Sequence, residues 1–168
     1  MICYVRTFFL EDDVNERSIS HKLAEYLQSQ FLEYHVDCEY NWQMRNNIDQ
    51  SDSKNVLFTK EEERKFYPKN NKEAISDSNA HTIYPDIIIH KRGSNLDNLL
   101  CVEIKKSTNK DRLAKERDQI KLPKIGEKYN YKFLLYLEIP TGEEYGVEKI
   151  DFDLKENKKY LSKNGEQN

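Results

Sequence analysis

Two short apolar runs separated by a turn-forming stretch constrain the fold most strongly. Residues 82–91 contain three consecutive isoleucines, and residues 99–106 contain Leu-Leu-Cys-Val. The intervening segment, RGSNLDN, is dense in residues that form turns. Each run is apolar at consecutive positions, which is typical of strands covered on both faces. The pattern therefore predicts a hairpin at the centre of a sheet with helices packed against it.

The other periodic segments predict an α/β domain around this hairpin. Two helices and two further strands are expected: helices over residues 13–31 and 109–122, and strands over residues 35–41 and 131–139. Pro123 and Gly126 are expected to end the second helix. The predicted order is helix, strand, insertion, strand, strand, helix, strand, which describes a mixed central sheet flanked by helices.

The predicted insertion between the first and second core strands is polar. It covers residues 42–81, and it is expected to be mobile apart from a short helix near residues 60–66. The chain of 168 residues is the size of one domain. We assign residues 1–154 to a single domain and residues 155–168 to a polar C-terminal tail.

Composition narrows the classes of partner and compartment. The chain has 27 basic and 30 acidic residues, so it lacks the overall basic charge of many nucleic-acid-binding proteins. Its three cysteines are odd in number and far apart, and they form neither a metal-ligand pair nor a disulfide framework, which favours a reducing, cytoplasmic location. No segment approaches the roughly 18 consecutive apolar residues of a membrane span, so we expect no membrane association.

Three charged residues in the predicted hairpin suggest a site for chemistry. Glu103 and Lys105 share one face of their strand because side chains alternate with a period of two, and the hairpin brings Asp86 beside Glu103. Two adjacent carboxylates repel each other unless a cation lies between them, and Mg²⁺ prefers such oxygen ligands. A simple ion pair of Glu103 with Lys105 is the alternative. It explains less well why Glu103 lies between apolar Val102 and Ile104.

The Pro85-Asp86 and Glu103-x-Lys105 motifs, together with the predicted αβββαβ order, resemble the PD-(D/E)xK nuclease superfamily with its restriction-endonuclease-like core. The resemblance covers roughly residues 13–139. It implies that Asp86 and Glu103 bind Mg²⁺, that the main-chain carbonyl of Ile104 is a further ligand, and that Lys105 assists the attacking water. Mn²⁺ is expected to substitute for Mg²⁺.

The same resemblance implies hydrolysis of nucleic-acid phosphodiester bonds, in DNA rather than RNA, in restriction, defence or repair. A homodimer or a larger protein complex is compatible with it. The alternative function is a catalytically silent nuclease-like module that binds nucleic acid as a subunit of a larger assembly.

Glu16 is a further candidate catalytic residue, because many members of this superfamily carry an acid on the first core helix. It lies on the same helical stripe as Ile19 and Leu23, which places it towards the sheet. The alternative is a capping box in which Glu16 pairs with Asp13 at the start of the helix.

The most basic stretch of the chain follows the proposed site and covers residues 105–124. Nucleic-acid phosphates are usually contacted by such residues. We predict phosphate contacts for Arg117, Lys121 and Lys110. A solvated helix face on which these residues pair with nearby acids is the open alternative.

Overall fold

The structure is a computed structural model that describes residues 10–44, 51–68, 80–94, 97–146 and 149–157. The helices are α1 (Glu16–Gln30), α2 (Lys60–Phe66) and α3 (Arg112–Tyr129). The strands are β1 (His35–Cys38), β2 (Trp42–Met44), β3 (Ser51–Ser53), β4 (Asn55–Leu57), β5 (Ala80–Thr82), β6 (Ile87–His90), β7 (Asn98–Lys106), β8 (Phe133–Ile139) and β9 (Asp151–Glu156). Within these ranges no helix combines the length and the apolar character needed to cross a membrane.

The protein is a mixed α/β structure with a mostly antiparallel central sheet. The five strands lie in the order β1-β6-β7-β8-β9. Only β7 and β8 run parallel, and α3 connects them because parallel neighbours need a crossover. The predicted hairpin is confirmed, since β6 and β7 pair in antiparallel fashion at the centre of the sheet.

Apolar layers cover both faces of the sheet. α1 contributes Ile19 and Ala24 on one side, and α3 contributes Leu122 and Ile125 on the other. The central-strand residues that face these layers are Ile87, Val102 and Ile104 on the α1 side and Ile88 and Cys101 on the α3 side. Consecutive residues are buried because each face has its own cover, which explains the unbroken apolar runs.

The predicted end of the second helix is wrong. α3 continues through Pro123 and Gly126 to Tyr129. Pro123 cannot donate to the carbonyl of Gln119, but Gln119 lies on the exposed side of the helix, where water can solvate that carbonyl. Gly126 lies against Leu134 so closely that a Cβ atom would be 2.6 Å from Leu134 Cδ1. Gly126 therefore serves close packing against the sheet, whereas Pro123 is accommodated at an exposed position of the helix.

The predicted short helix of the insertion is confirmed as α2. Thr59 and Glu62 form a capping box, in which the Thr59 side chain accepts from the Glu62 N–H and the Glu62 carboxylate accepts from the Thr59 N–H. Val56, Phe58 and Phe66 are buried in the apolar layer that contains α3. This part of the insertion is thus integrated into the core, contrary to the expectation of a mobile segment. Residues 45–50 and 69–79 lie outside the described residues.

The C-terminal edge strand was not predicted. β9 pairs with β8 in antiparallel fashion over Asp151–Glu156, so the last regular residues extend two positions beyond the predicted domain end at residue 154. All six residues of β9 are exposed, and apolar and charged side chains alternate from Asp151 to Lys155. The rest of the predicted tail, residues 158–168, lies outside the described residues.

Candidate active site

The register of the central hairpin places two carboxylates side by side. Ile87 pairs with Val102, so continuing the register by one residue brings Asp86 opposite Glu103 on the α3 face of the sheet. Asp86 Oδ2 accepts a hydrogen bond of 2.7 Å from the backbone N–H of Ile104. Burial raises the pKa of Asp86 above its usual range, although this hydrogen bond and nearby lysines oppose the shift. Asp86 is therefore anchored to the strand that carries the other predicted site residues.

Glu103 is the most deeply buried acid of the site, with 2% of its surface exposed. Its Oε2 lies 2.9 Å from Lys121 Nζ, whereas its Oε1 is buried without a hydrogen-bond partner among the described residues. Burial raises the pKa of Glu103 to about 8; Lys121 opposes this shift, and the nearby carboxylates of Asp86 and Asp118 add to it. A buried carboxylate oxygen without a donor is costly, so this atom is a position where a cation would be stabilised.

Lys105 lies on the same strand face and contacts three acceptors. Its Nζ is 2.9 Å from Asp118 Oδ2, 3.3 Å from the carbonyl oxygen of Ile104 and 3.4 Å from Glu16 Oε2. Burial lowers the pKa of Lys105, but the two carboxylates outweigh burial and raise it above its usual value. Lys105 is consequently a fixed positive charge at neutral pH.

Asp118 on α3 was not among the predicted site residues. Its side chain is 4% exposed, and each of its carboxylate oxygens forms an ion pair with a lysine. Oδ2 lies 2.9 Å from Lys105 Nζ, and Oδ1 lies 3.0 Å from Lys121 Nζ. Burial opposes ionisation, yet the two ammonium groups together lower the pKa of Asp118. The sequence signal was the spacing of Asp118 and Lys121 by three residues, which is the spacing of ion pairs on a helix.

Glu16 joins the site from the first turn of α1. Its Oε1 accepts from the backbone N–H of Lys106 and from Asn109 Nδ2, both at 3.2 Å. Its Oε2 is the atom that contacts Lys105. The carboxylate therefore bridges the start of α1 to the end of β7, beside the predicted catalytic lysine.

The capping-box alternative for Glu16 is wrong. The N-cap of α1 is Asn15, whose side chain accepts from the Ser18 N–H. Asp13 instead has a left-handed backbone with a φ of 51°, and its Oδ1 accepts from Thr141 Oγ1 at 2.6 Å and from Lys106 Nζ at 2.9 Å. These hydrogen bonds lower the pKa of Asp13 to about 2. Asp13 thus ties the approach to α1 to the ends of β7 and β8.

The three predicted phosphate contacts occupy different positions. Lys121 lies inside the site, 14% exposed, rather than on the outer face of α3. Arg117 is 35% exposed, with its Nε 3.7 Å from Asp118 Oδ1 and its guanidinium 5.9 Å from the centre of the Tyr67 ring. Lys110 is exposed and paired with Glu144 at 3.1 Å. Arg117 is therefore the predicted phosphate contact that lies at the border of the site and also reaches solvent.

The charges of the site fit a divalent cation. Four acids surround two lysines, an excess of two negative charges when all six groups are ionised; the acids are Glu16, Asp86, Glu103 and Asp118, and the lysines are Lys105 and Lys121. The described ranges contain no group of three or more His, Cys, Asp or Glu side chains arranged to hold a metal. The groups that could hold a metal ion are two carboxylates, those of Asp86 and Glu103, and the carbonyl of Ile104. Such a small set suits Mg²⁺, because this ion keeps several waters.

Comparisons with protein-family models, with curated proteins and with solved structures each found no match. The case for a function therefore rests on the arrangement of the residues and on the chemistry that they support. That arrangement brings Asp86, Glu103, Lys105 and Glu16 together, as the sequence predicted, and adds Asp118 to them.

Proposed function

We propose that the protein is a Mg²⁺-dependent nuclease of the PD-(D/E)xK superfamily that hydrolyses phosphodiester bonds of DNA in the cytoplasm. The observation that carries the proposal is the pairing of Asp86 with buried Glu103, whose Oε1 has no partner among the described residues, next to the ammonium of Lys105. The order α1, β1, β6, β7, α3 and β8 supports assignment to the restriction-endonuclease-like core.

Asp86, Glu103 and the carbonyl of Ile104 would hold the ion. The chemistry that a bound Mg²⁺ supplies is Lewis-acid polarisation of the scissile phosphate. Asp86 contributes a carboxylate that is fixed in direction by its hydrogen bond from the Ile104 N–H. Glu103 contributes an oxygen that no donor within the described residues occupies.

Lys105 acts as a charge and not as a base in this proposal. Its raised pKa keeps the ammonium protonated at neutral pH, so it cannot accept a proton from the attacking water. It can donate a hydrogen bond to that water and stabilise negative charge that develops on the phosphate. We assign the role of proton acceptor to Glu16, whose carboxylate is partly exposed and lies 3.4 Å from Lys105 Nζ.

The proposal predicts cleavage that depends on both the metal and Asp86. Purified protein is incubated with single- and double-stranded DNA and RNA in Mg²⁺, Mn²⁺ or EDTA. We expect cleavage of DNA with either metal, none in EDTA, and a loss of at least about a hundredfold in Asp86→Asn, since a ligand matters at least as much as the groups that orient ligands. Asp111→Asn is the matched control, because Asp111 caps α3 at an exposed position where Asn caps equally well. Full activity of Asp86→Asn, or of the wild type in EDTA, would contradict the proposal.

A binding module without turnover is the second candidate. The observation that favours it is the internal pairing of both lysines, each of which has a carboxylate within 3.0 Å. Such a module would bind DNA in the same assay and leave it intact at every metal concentration. Gel-shift binding combined with intact DNA in Mg²⁺ and Mn²⁺ would favour the module over the enzyme.

Arg117 is predicted to contact a DNA phosphate. Arg117→Ala should weaken DNA binding modestly and reduce the slope of log affinity against log salt concentration by about one unit, since one phosphate contact fewer releases one counterion fewer. The measurement is fluorescence anisotropy over a salt series in an Asp86→Asn background, which prevents cleavage. Lys22→Ala is the control, because Lys22 is a basic residue on α1 that pairs with Glu25. An equal change of slope in both variants would indicate a general charge effect instead of a contact.

A further inference from the structure

We propose that Asp118 is a positioning residue that anchors Lys105 and Lys121, so that Lys121 can leave Glu103 without losing its partner and the Asp86–Glu103 pair can bind a divalent cation. This inference rests on the proposed function, and it assigns a role to an acidic residue that is neither part of the superfamily motif nor one of the predicted phosphate contacts. Asp118 itself is not proposed as a metal ligand.

The geometry shows one carboxylate shared by two ammonium groups. Asp118 Oδ2 lies 2.9 Å from Lys105 Nζ, and Asp118 Oδ1 lies 3.0 Å from Lys121 Nζ. The carboxylate is 4% exposed, so water has little access to replace it as a partner of either lysine. Asp118 is buried on the packed face of α3, so the packing of this helix fixes the position at which the two ammonium groups meet its carboxylate.

The lysines have a second set of acceptors within reach. Lys121 Nζ already lies 2.9 Å from Glu103 Oε2, and Glu103 Oε1 has no partner among the described residues. Lys105 and Lys121 both stabilise the ionised form of Asp86 electrostatically. A buried ammonium needs a partner, so loss of Asp118 would shift both lysines towards the carboxylate pair.

Such a shift would compete with metal binding. An ammonium group that pairs with Glu103 neutralises its negative charge, and it therefore competes with a divalent cation for the same carboxylate. With Asp118 present, Lys121 can stay bound to Asp118 Oδ1 when Glu103 turns to a cation. The inference therefore predicts that a residue without any contact to the metal determines the affinity for it.

Calorimetric titration with Mn²⁺ in the absence of DNA tests this inference. Asp118→Asn should weaken Mn²⁺ binding by roughly tenfold or more, the range for groups that orient metal ligands. Adding Lys121→Met should restore the affinity to within about threefold of the wild type, because the competing ammonium is gone. Glu16→Gln changes the local charge equally but leaves both lysines on Asp118, so it should weaken binding by a clearly smaller factor than Asp118→Asn does.

Several outcomes would overturn the inference. Unchanged affinity in Asp118→Asn would do so, and so would a double variant that stays weak, since Asp118 would then be a ligand or a purely structural residue. Equal weakening by Glu16→Gln would reduce the effect to charge alone. If Asp118→Asn shows no cooperative unfolding, Lys121→Met in the wild-type background decides: tighter Mn²⁺ binding supports the competition, and unchanged or weaker binding overturns it.

The failure of the proposed function would look different. A wild-type protein that binds neither Mn²⁺ nor Mg²⁺ would overturn the metal-dependent nuclease and the role of Asp118 together. A wild-type protein that binds the metal, with no restoration in the double variant, would overturn only the role of Asp118.

Discussion

Replacing Lys105 with methionine is expected to lower the turnover of DNA by about 10²- to 10³-fold, the usual cost of removing one preorganised donor to transition-state charge. The methionine keeps most of the side-chain volume and removes the ammonium that contacts Asp118, Glu16 and the Ile104 carbonyl. Single-turnover kinetics at saturating DNA measure the effect on the chemical step.

Metal binding should respond differently to the same substitution. Lys105 is a neighbour of the proposed ligands and a competing cation, so Lys105→Met should bind Mn²⁺ as well as the wild type or better. Lys22→Met is the matched control, since Lys22 is a lysine on α1 that pairs with Glu25 and has no assigned role in the site. If Lys105→Met turns over at the wild-type rate, Lys105 serves only as an ion-pair partner, and the nuclease would need another source of positive charge.

Glu103→Gln is expected to abolish metal-dependent cleavage and at the same time to stabilise the protein at alkaline pH. The amide keeps the shape of the side chain but offers a poor ligand to Mg²⁺, because hard cations prefer carboxylates. The stabilising effect follows from the raised pKa of Glu103, about 8 against an ordinary value of 4.5. Activity and stability should therefore change in opposite directions in one variant.

The sign of the pH dependence is fixed by that shift. The folded protein binds the Glu103 proton more tightly than the unfolded chain does, so this contribution to the free energy of unfolding is complete below about pH 4.5. It is lost as the pH rises to about 8 and stays lost above that value. Glutamine carries no such proton, so its advantage over glutamate should grow between pH 5 and pH 9, by on the order of a few kcal/mol.

Urea unfolding in EDTA at pH 5 and pH 9 measures this difference. Glu25→Gln is the control, because Glu25 is exposed on α1 and pairs with Lys22. Added Mg²⁺ should raise the stability of the wild type at pH 9 and leave Glu103→Gln unchanged, since only the native wild type binds the ion. If the free energies of unfolding of the wild type and Glu103→Gln change in parallel with pH, Glu103 is ionised in the folded state without cost. That result would remove the electrostatic reason for a cation at Glu103.

The sequence by itself determined the central hairpin and the three residues that it carries. The apolar runs and the turn between them predicted β6 and β7, which the structure confirms. The period of two along a strand then places Glu103 and Lys105 on one face, and the hairpin register brings Asp86 to Glu103. The shared strand face and the hairpin register depend only on neighbouring residues and on the pairing of two adjacent strands. The spacing of residues in the sequence is therefore enough to predict them. The capping box at Thr59 is local in the same way.

Only the tertiary structure decided which residues from other elements complete the site. The place of Asp118 and Lys121 depends on the phase and length of α3, and there the usual helix-ending signals of Pro123 and Gly126 fail. The packing of α3 against the sheet outweighs the hydrogen bond that the helix loses at the proline. This packing energy comes from residues distant in sequence, so no local sequence pattern predicts it. The structure also decided that Asn15 caps α1 and that the Glu16 carboxylate lies in the site. Ion pairs between α1, β7 and α3 join residues distant in sequence, and their geometry follows only once the core has fixed the distances between these elements.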